Sequence, residues 1–279
     1  MEELTDQQMA QVTDLVADAG SEALAWFRPQ RTSGNGRAAP LVVDNKRDGS
    51  GDFDPVTEAD RSVEQIIRTA LTKLFPGDAI TGEEFGTTGS GRRCWFIDPI
   101  DGTRAFVTGQ PMWGTLVGLM ADGTPIAGWM HLPVLNETYI GSGSTASLVF
   151  PRGRQAGRET VKMETTSTDL LGEATMLSTD PSMFSAGTQW DRFAALASTV
   201  KMLRYGGDCM NYGLVATGDA DLVVENQLAP YDIIPLIPIV TAAGGVITDL
   251  EGNVPINGGY VVAAGNRELH RAALEVLNS

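Results

Sequence analysis

The sequence predicts an α/β protein with two lobes, an α+β lobe over residues 1–147 and an α/β lobe over residues 148–279. Three observations indicate this fold class. The chain of 279 residues is long enough to bury one large core or two packed lobes. Its first half places amphipathic helices before short strands that Gly and Pro separate. Its second half alternates strands with helices, which is typical of a mixed α/β lobe.

Two helices and five strands are predicted in the first lobe. Apolar residues recur at helical spacing over residues 6–27 and again after Thr57, which is a suitable N-cap. The second helix is expected to end at Pro76-Gly77. Frequent Gly and Pro between the strands favour an antiparallel sheet. These strands are expected at residues 79–81, 95–98, 114–120, 126–131 and 138–140.

Two segments of the first lobe lack periodicity. Residues 31–40 are rich in Gly, Ser and Ala and predict a flexible loop. Residues 86–93 are polar and follow Glu83 closely, so they are compatible with a lid or with a plain connector.

The second lobe is predicted to alternate five strands with four helices. One of these helices contains Pro238, which should remove a backbone hydrogen bond and bend it. The strands are expected at residues 175–178, 202–204, 222–225, 246–248 and 260–263, and the helices at residues 190–199, 208–216, 232–243 and 266–277.

Composition excludes several classes of partner and site. A net charge of −15 argues against nucleic-acid binding, which needs a basic surface. No apolar stretch reaches the length of a membrane span, and the first residues lack the basic start of a signal peptide. Cys94 and Cys209 offer no disulfide framework, which fits a reducing compartment, so we expect a cytoplasmic protein. The two histidines, His131 and His270, have no neighbours at the spacing of zinc ligands.

The segment Asp98-Pro99-Ile100-Asp101-Gly102-Thr103 is the most informative motif. It follows an apolar run that predicts a buried strand, and its turn should bring both carboxylates to the same side. Two carboxylates so close repel each other in a low dielectric, and a divalent cation removes that conflict. All-oxygen ligands favour magnesium. A plain turn is the alternative, because Asp-Pro and Asp-Gly are common in loops.

Three further acidic segments support the metal-site interpretation. They are Gly82-Glu83-Glu84, the residues from Asp54 to Asp60, and Pro230-Tyr231-Asp232. Each lies at a junction between regular elements, where loops deliver side chains to a shared cleft. One such carboxylate alone would usually be a helix cap or a solvated charge. Together they supply enough ligands for two or three ions.

These motifs resemble the inositol monophosphatase family, the magnesium-dependent and lithium-sensitive phosphomonoesterases. The resemblance runs from about Lys46 to Asn266 and includes Asp60, Asp232 and Gly244-Gly245. It implies a layered αβαβα fold of the sugar-phosphatase kind, and a homodimer. Within the family, the histidinol-phosphate phosphatases are most similar, through Thr103-Arg104-Ala105-Phe106 and through residues 111–115 and 205–209.

The resemblance also implies the metal ligands. Glu83, Asp98 and the carbonyl of Ile100 would hold one magnesium ion. A second ion would be held by Asp98, Asp101 and Asp232, with Asp98 bridging the two. A third, weaker ion would rest on Glu83 and waters. Manganese is an alternative, since it accepts the same oxygen ligands.

Gly102 and Thr103 have a separate predicted role in binding phosphate. Gly102 can adopt a positive φ, and Thr103 then begins a helical turn whose free amides suit a phosphate. By resemblance, Asp60 accepts the Thr103 proton and so helps to orient the attacking water. An N-cap is the alternative for Thr103. Lys46 and Asp54 match family positions near the metal site, with a surface ion pair as the alternative.

Several residues are candidates for the substrate side of the site. Glu225 matches the position that contacts the non-phosphate half of the substrate in the family, and in a histidinol-phosphate enzyme its carboxylate could pair with the ammonium group of the substrate. Asp232, beside the metal, is a further substrate-binding candidate. Asp208 could help to bind a substrate ammonium group, or it could be an N-cap. Arg204 and Arg104 are candidate anion or interface residues, with structural salt bridges as the alternative.

Three functions remain open from the sequence. The leading hypothesis is hydrolysis of L-histidinol phosphate, a small phosphate monoester, in histidine biosynthesis. The second keeps the chemistry with an inositol phosphate, a sugar bisphosphate or adenosine bisphosphate as substrate. The third is a regulatory scaffold without catalysis, although every expected ligand position carries a competent residue. A cationic substrate would need uncompensated carboxylates around Asp208 and Glu225, whereas a neutral polyol would not.

Overall fold

The computed structural model of the chain describes residues 4–28, 43–45, 55–150 and 159–279, with the backbone alone at residues 55 and 56. The predicted flexible loop at residues 31–40 lies outside the described residues, as do Lys46 and Asp54. Two short strands, β1 (Val43–Asn45) and β2 (Pro55–Thr57), form an antiparallel ribbon that directly precedes the second helix.

Helices α1 (Asp6–Trp26) and α2 (Glu58–Leu74) form the outer layer of the first lobe, as the periodicity predicts. Each begins with a threonine that caps it and pairs reciprocally with the residue three positions later. The second helix ends two residues before Pro76, because the residue that precedes a proline disfavours helical backbone angles. The apolar stripes of both helices pack on one face of a large sheet.

This first sheet has eight strands, and most neighbours are antiparallel as expected. Strands β3 (Ala79–Gly82) and β5 (Arg93–Asp101) pair in parallel, so the prediction of a purely antiparallel sheet is wrong there. The cause is a hairpin: the chain turns back from β3 into β4 (Gly86–Thr88) at the edge of the sheet and then reverses again to enter β5. In spatial order the strands are β10 (Glu159–Lys162), β9 (Thr145–Phe150), β8 (Glu137–Ser142), β7 (Thr124–Leu132), β6 (Gly114–Ala121), β5 (Arg93–Asp101), β3 (Ala79–Gly82) and β4 (Gly86–Thr88).

Three strands of this sheet were not predicted. Strand β4 occupies the start of the polar segment 86–93, and a lid function for that segment stays a prediction. Strands β9 and β10 are short and partly polar, which leaves little periodic signal. The predicted boundary at residues 147/148 falls inside β9, so the first sheet continues beyond it to Lys162. The division into two lobes stays a prediction.

Three short helices form the middle layer: α5 (Met210–Ala216), α6 (Pro230–Ile233) and α7 (Leu236–Ala242). The prediction of one helix over residues 232–243 is wrong, because the chain changes from α6 to α7 at Ile234-Pro235. Pro238 lies in the first turn of α7 rather than in a helix interior. Backbone N–H groups in a first turn have no partner inside the helix, so Pro238 removes no hydrogen bond there.

The second sheet has five strands and is mixed, with β11 (Thr175–Ser178) parallel to both of its neighbours. Its strands and the two helices outside it lie within a few residues of the predicted ranges. They are, in spatial order, β12 (Met202–Tyr205), β11 (Thr175–Ser178), β13 (Leu222–Leu228), β15 (Gly259–Ala264) and β14 (Val246–Thr248), with α4 (Thr188–Ala197) and α8 (Arg267–Leu277).

The elements stack as five layers, which confirms the expected αβαβα arrangement. Helices α1 and α2 cover the outer face of the first sheet, α5 and α7 contact both sheets, and α4 and α8 cover the second sheet. The apolar interior between the two sheets combines side chains from both predicted lobes, for example Met130 and Val223. The middle layer is therefore packed on both sides, and its loops meet the strand ends of both sheets.

Candidate active site

Asp98, Asp101 and Asp232 come together at the junction of the first sheet and the middle layer. One ligand oxygen from each lies within 4.8 Å of the others. Asp98 and Asp101 are three residues apart and would point to opposite faces of a regular strand. A bulge in β5 adds one residue between them, since they pair with Leu116 and Gly114, which are only two apart. The bulge therefore turns both carboxylates to the same side, where α6 delivers Asp232.

Each of these carboxylates is fixed by a backbone N–H group. The amide of Ile100 donates to Asp98 Oδ1 at 3.1 Å, and that of Cys209 donates to Asp101 Oδ2 at 2.6 Å. Similarly, Ala229 donates to Asp232 Oδ2 at 2.7 Å. These hydrogen bonds hold the three acidic side chains in place although the carboxylates repel one another.

The electrostatics of the cluster fit a bound cation. Burial raises the pKa of Asp101, and burial together with the charge of Asp101 raises the pKa of Asp232 well above its usual range. A divalent ion among these oxygens would neutralise the charges that burial and mutual repulsion disfavour. The donor set is thus chemically suited to a hard metal ion, as the sequence predicts.

The acidic cluster lines one wall of an open cleft of about 380 Å³. Glu83, which follows β3, lines the same cleft, and its amide donates to the carbonyl of Ile97 at 3.2 Å. The cleft brings together most of the residues that the sequence singles out: Glu83, Asp98, Ile100, Asp101, Gly102, Thr103, Arg104, Asp208 and Asp232.

Gly102 and Thr103 adopt the predicted backbone. Gly102 has φ of 83° and precedes a short helix, α3 (Thr103–Thr108). A Cβ atom at Gly102 would also lie 3.0 Å from Asp208 Cγ, so the position excludes a side chain twice over. The Thr103 hydroxyl donates to the carbonyl of Ile100 at 3.0 Å.

Asp60 is fully buried in the first turn of α2. Its Oδ2 accepts hydrogen bonds from the amide of Thr57 at 2.8 Å and from the hydroxyl of Thr57 at 2.6 Å. Asp60 therefore closes the capping box of α2. Its predicted acceptance of the Thr103 proton stays a prediction.

The two carboxylates predicted on the substrate side differ in environment. Glu225 is 2% exposed and accepts four hydrogen bonds, two from Thr179 and one each from Asn211 and Tyr212. Burial raises the pKa of Glu225, while these donors oppose the shift. Asp208 lines the open cleft, and burial followed by the charges of Asp101 and Glu225 raises its pKa well above the usual range.

The two arginines also differ. Arg104 lines the cleft, whereas Arg204 lies exposed on the edge strand β12. Arg204 is not among the described residues that line the cleft, so the structure does not bring it to the site. An outer position on an edge strand explains this, because β12 is separated from the cleft by β11 and the loop after it.

Comparison with known proteins identifies the family. A sequence model of the inositol monophosphatase family matches residues 9–279. The chain belongs to the inositol monophosphatase family. It is 37% identical to the histidinol-phosphatase of Mycobacterium tuberculosis over 243 residues, covering 85% of this chain and 90% of that protein. A histidinol-phosphatase of Chlorobaculum parvum is 33% identical, covering 98% and 97% of the two chains.

A solved structure agrees with this assignment. The inositol monophosphatase from Zymomonas mobilis superimposes with a TM-score of 0.79 and 32% identity, and the match covers all of both chains. As a member of this family, the chain is a phosphoric monoester hydrolase. Of the helices in the described ranges, none combines the length and apolar character that crossing a bilayer requires.

The residues of the cleft wall that follow β11 were not predicted from the sequence. Thr179, Asp180 and Ser182 line it, and Asp180 Oδ1 accepts the amide of Ser182 at 2.7 Å. The available signal was an Asp-Pro turn directly after a predicted strand, the same kind of junction that marked Asp98. Asp180 adds a carboxylate to the part of the cleft that Asp208 lines.

Proposed function

We propose that this chain is a magnesium-dependent phosphatase that hydrolyses L-histidinol phosphate to L-histidinol and phosphate in histidine biosynthesis. The main support is the distribution of charged side chains in one cleft. A cluster of three carboxylates, suited to a cation, lies at one wall, and two further carboxylates, Asp180 and Asp208, line the cleft together with Arg104. Two relatives named histidinol-phosphatase, 33% and 37% identical, favour the same substrate.

Magnesium would be held by Glu83, Asp98, Asp101 and Asp232, together with the carbonyl of Ile100. All of these line the cleft. Manganese could occupy the same ligands, since all are oxygens. When bound, such ions supply charge neutralisation for the phosphate and lower the pKa of a coordinated water.

The chain's own residues would position the phosphate and the water. Gly102 leaves the backbone at the start of α3 open to a ligand because it has no side chain. Thr103 faces the same cleft, where its hydroxyl is oriented by the carbonyl of Ile100. In the proposed mechanism this hydroxyl orients the attacking water, and Asp60 supports it as proton acceptor.

Asp208 is the residue that we assign to the cationic half of the substrate. It lies in the cleft beside Asp101, where burial and then the charges of Asp101 and Glu225 raise its pKa, while the charge of Arg104 lowers it. A substrate ammonium group placed there would favour the ionised carboxylate. Glu225 acts differently, because it is buried and its four hydrogen bonds join Thr179 of the cleft wall to the buried Asn211 and Tyr212.

Hydrolysis of inositol 1-phosphate is the second candidate. The full-length match to an inositol monophosphatase at 32% identity favours it, and so does Glu225, whose carboxylate is already satisfied by neutral donors. Sugar or nucleotide bisphosphates would use the same chemistry. A scaffold without catalysis is the weakest alternative, since the acidic cluster retains its ligands.

Phosphate release from L-histidinol phosphate and from myo-inositol 1-phosphate tests the proposal, with magnesium and with a chelator. We expect a strong preference for histidinol phosphate that chelation abolishes. Asp98→Asn should remove turnover with the fold intact, whereas Asp191→Asn, on the exposed face of α4, should not. Preference for the inositol ester would overturn the substrate, and activity in Asp98→Asn would overturn the metal assignment.

A further inference from the structure

A buried ion pair on α2 holds the turn that carries Glu83. The Arg68 Nε atom donates to Glu64 Oε1 at 2.6 Å, and the side chains of both residues are almost completely buried. The two residues are one helical turn apart, and both face the strands β3 and β4 rather than solvent. Neither residue belongs to the acidic cluster, and the sequence motifs did not single them out.

Glu64 binds the backbone on the C-terminal side of Glu83. The amide of Glu84 donates to Glu64 Oε2 at 2.7 Å, and the amide of Phe85 donates to Oε1 at 3.3 Å. On the other side, the amide of Glu83 itself donates to Ile97 in β5. Three successive amides are therefore fixed, one by the sheet and two by α2.

Arg68 binds the other arm of the same hairpin. Its guanidinium donates to the hydroxyl of Thr88 at 3.0 Å and to the carbonyl of Gly86. A planar guanidinium can bind several acceptors at fixed angles, which a lysine ammonium cannot reproduce. The pair thus joins α2 to both sides of the turn.

Gly82 fits this arrangement. A Cβ atom at Gly82 would overlap the carboxylate of Glu64, so the close approach of that carboxylate requires glycine. The Gly82-Glu83-Glu84 motif then has a physical explanation. The glycine admits Glu64, Glu83 faces the cleft, and the amide of Glu84 is the anchor.

Stability alone does not account well for such a pair. Burying two charges costs desolvation energy that their attraction often fails to exceed, and apolar residues can replace such pairs without loss. The hydrogen bonds that Glu64 and Arg68 make are instead concentrated on the turn between β3 and β4, in which Glu83 lines the cleft. Groups that orient a ligand from behind commonly change metal affinity by about 10- to 100-fold when removed.

We propose that Glu64 and Arg68 are positioning residues that preorganise the Glu83 carboxylate for cation binding. The inference rests on the proposed function, in which Glu83 is a metal ligand. Glu64→Gln keeps the shape of the side chain but replaces one acceptor oxygen with an NH2 group, which leaves a single oxygen for the three donors Arg68 Nε, Glu84 N and Phe85 N. We expect this variant to raise the Mn²⁺ concentration at half-saturation by about tenfold or more. Excess magnesium should restore most of kcat.

Titration of the metal-free protein with Mn²⁺ tests the proposal. Binding is measured by electron paramagnetic resonance, as the loss of the signal of free Mn²⁺. The matched control is Asp78→Asn. It breaks the ion pair between Asp78, which directly precedes β3, and Arg93, the first residue of β5, at the end of these strands opposite to Glu83. It should lower the unfolding temperature and leave Mn²⁺ affinity unchanged. Arg68→Lys retains the charge and should weaken Mn²⁺ binding severalfold.

Three outcomes would decide against the proposal. One is Mn²⁺ binding by Glu64→Gln within twofold of the unmodified protein, and another is an equal loss of affinity in Asp78→Asn. If Glu64→Gln does not fold, unchanged affinity in Arg68→Lys would have the same meaning. Absence of Mn²⁺ binding by the unmodified protein would instead refute the metal site of the proposed function.

Discussion

At the scale of single residues, the bulge in β5 determines the chemistry of the site. One extra residue between Asp98 and Asp101 places both carboxylates on one side of the strand. The sequence predicted this convergence from the Pro and Gly of the turn. It could not predict that Cys209, 108 positions after Asp101, donates the hydrogen bond that fixes Asp101. A backbone donor leaves no mark in the residue type.

Gly102 allows a test of backbone and contact effects. Gly102→Ala should lower stability by about 1–2 kcal/mol, because φ of 83° is unfavourable for alanine, and it should also reduce activity because Cβ contacts Asp208. Gly123→Ala is the control, with φ of 79° and no atom near its Cβ position. It should lose similar stability in thermal unfolding and keep full phosphatase activity. Equal activity of the two variants would contradict the contact argument.

The acidic cluster predicts a pH dependence of stability without metal. Asp232 has a folded pKa well above its usual value of 3.8, so the folded state binds more protons than the unfolded state above about that pH. Its contribution therefore destabilises the metal-free protein increasingly as the pH rises from about 4 through the raised pKa. Thermal unfolding in chelator at several pH values should show this trend.

Two comparisons isolate that contribution. Asp232→Asn should flatten the pH trend, since the amide does not titrate. Magnesium should raise the unfolding temperature more at pH 8 than at pH 5, because protons compete for the same oxygens. An identical pH profile in Asp232→Asn and the unmodified protein would contradict the assignment.

At the scale of elements, three glycines set the distance between the first sheet and the middle layer. Gly118, Gly128 and Gly141 are direct cross-strand partners in β6, β7 and β8. A Cβ on Gly118 would lie 2.9 Å from the nitrogen of Pro235, and one on Gly128 would overlap the carbonyl oxygen of Pro235. The row thus lets the α6–α7 junction lie directly on the sheet, which places Asp232 beside Asp98.

Gly128→Ala tests this packing. The added methyl group must push α6 and α7 away from the sheet, so we expect a loss of about 1–3 kcal/mol in the free energy of unfolding. Activity should also fall, because Asp232 would move with α6. Gly172→Ala, whose Cβ would meet its nearest atom at 3.9 Å, is the control and should leave activity unchanged. Full activity in a destabilised Gly128→Ala protein would contradict the link to Asp232.

The middle helices also show the limits of sequence patterns. Residues 232–243 are apolar almost throughout, and this run correctly indicates burial. Periodicity could not locate the break at Pro235, because a buried helix and a pair of short helices share the same composition. Strands with a clear apolar run, such as β5 and β6, were predicted within a few residues. Short exposed strands such as β4 carry too few buried positions to be recognised.

At the scale of the whole molecule, the interior between the sheets belongs to both predicted lobes. Leu116 and Met130 from the first sheet share one apolar cluster with Val223 and Val261 from the second, and Ile237 of α7 lies in the same cluster. The sequence predicted two lobes from the change in element pattern. It could not show that a common layer of helices completes the core of each.

This shared interior predicts cooperative unfolding. Scanning calorimetry of the metal-free protein should give a single transition, because neither sheet can expose its inner face without exposing the other. Leu116→Ala and Val223→Ala should each lower the temperature of that one transition. Each should reduce the free energy of unfolding by the few kcal/mol expected for a buried cavity. Two resolved transitions, with each variant moving only one of them, would contradict a common core.

The order in which the site is completed follows from where its residues lie along the chain. During synthesis, β3 and β5 can pair long before α6 leaves the ribosome with Asp232. A nascent chain therefore holds Glu83, Asp98 and Asp101 for some time without their third aspartate. The complete cation site therefore forms only after the middle layer has packed on the first sheet. Cation binding at this site then follows the early steps of folding. In kinetic terms, a bound divalent cation would lengthen the lifetime of the finished protein more than it would hasten its formation.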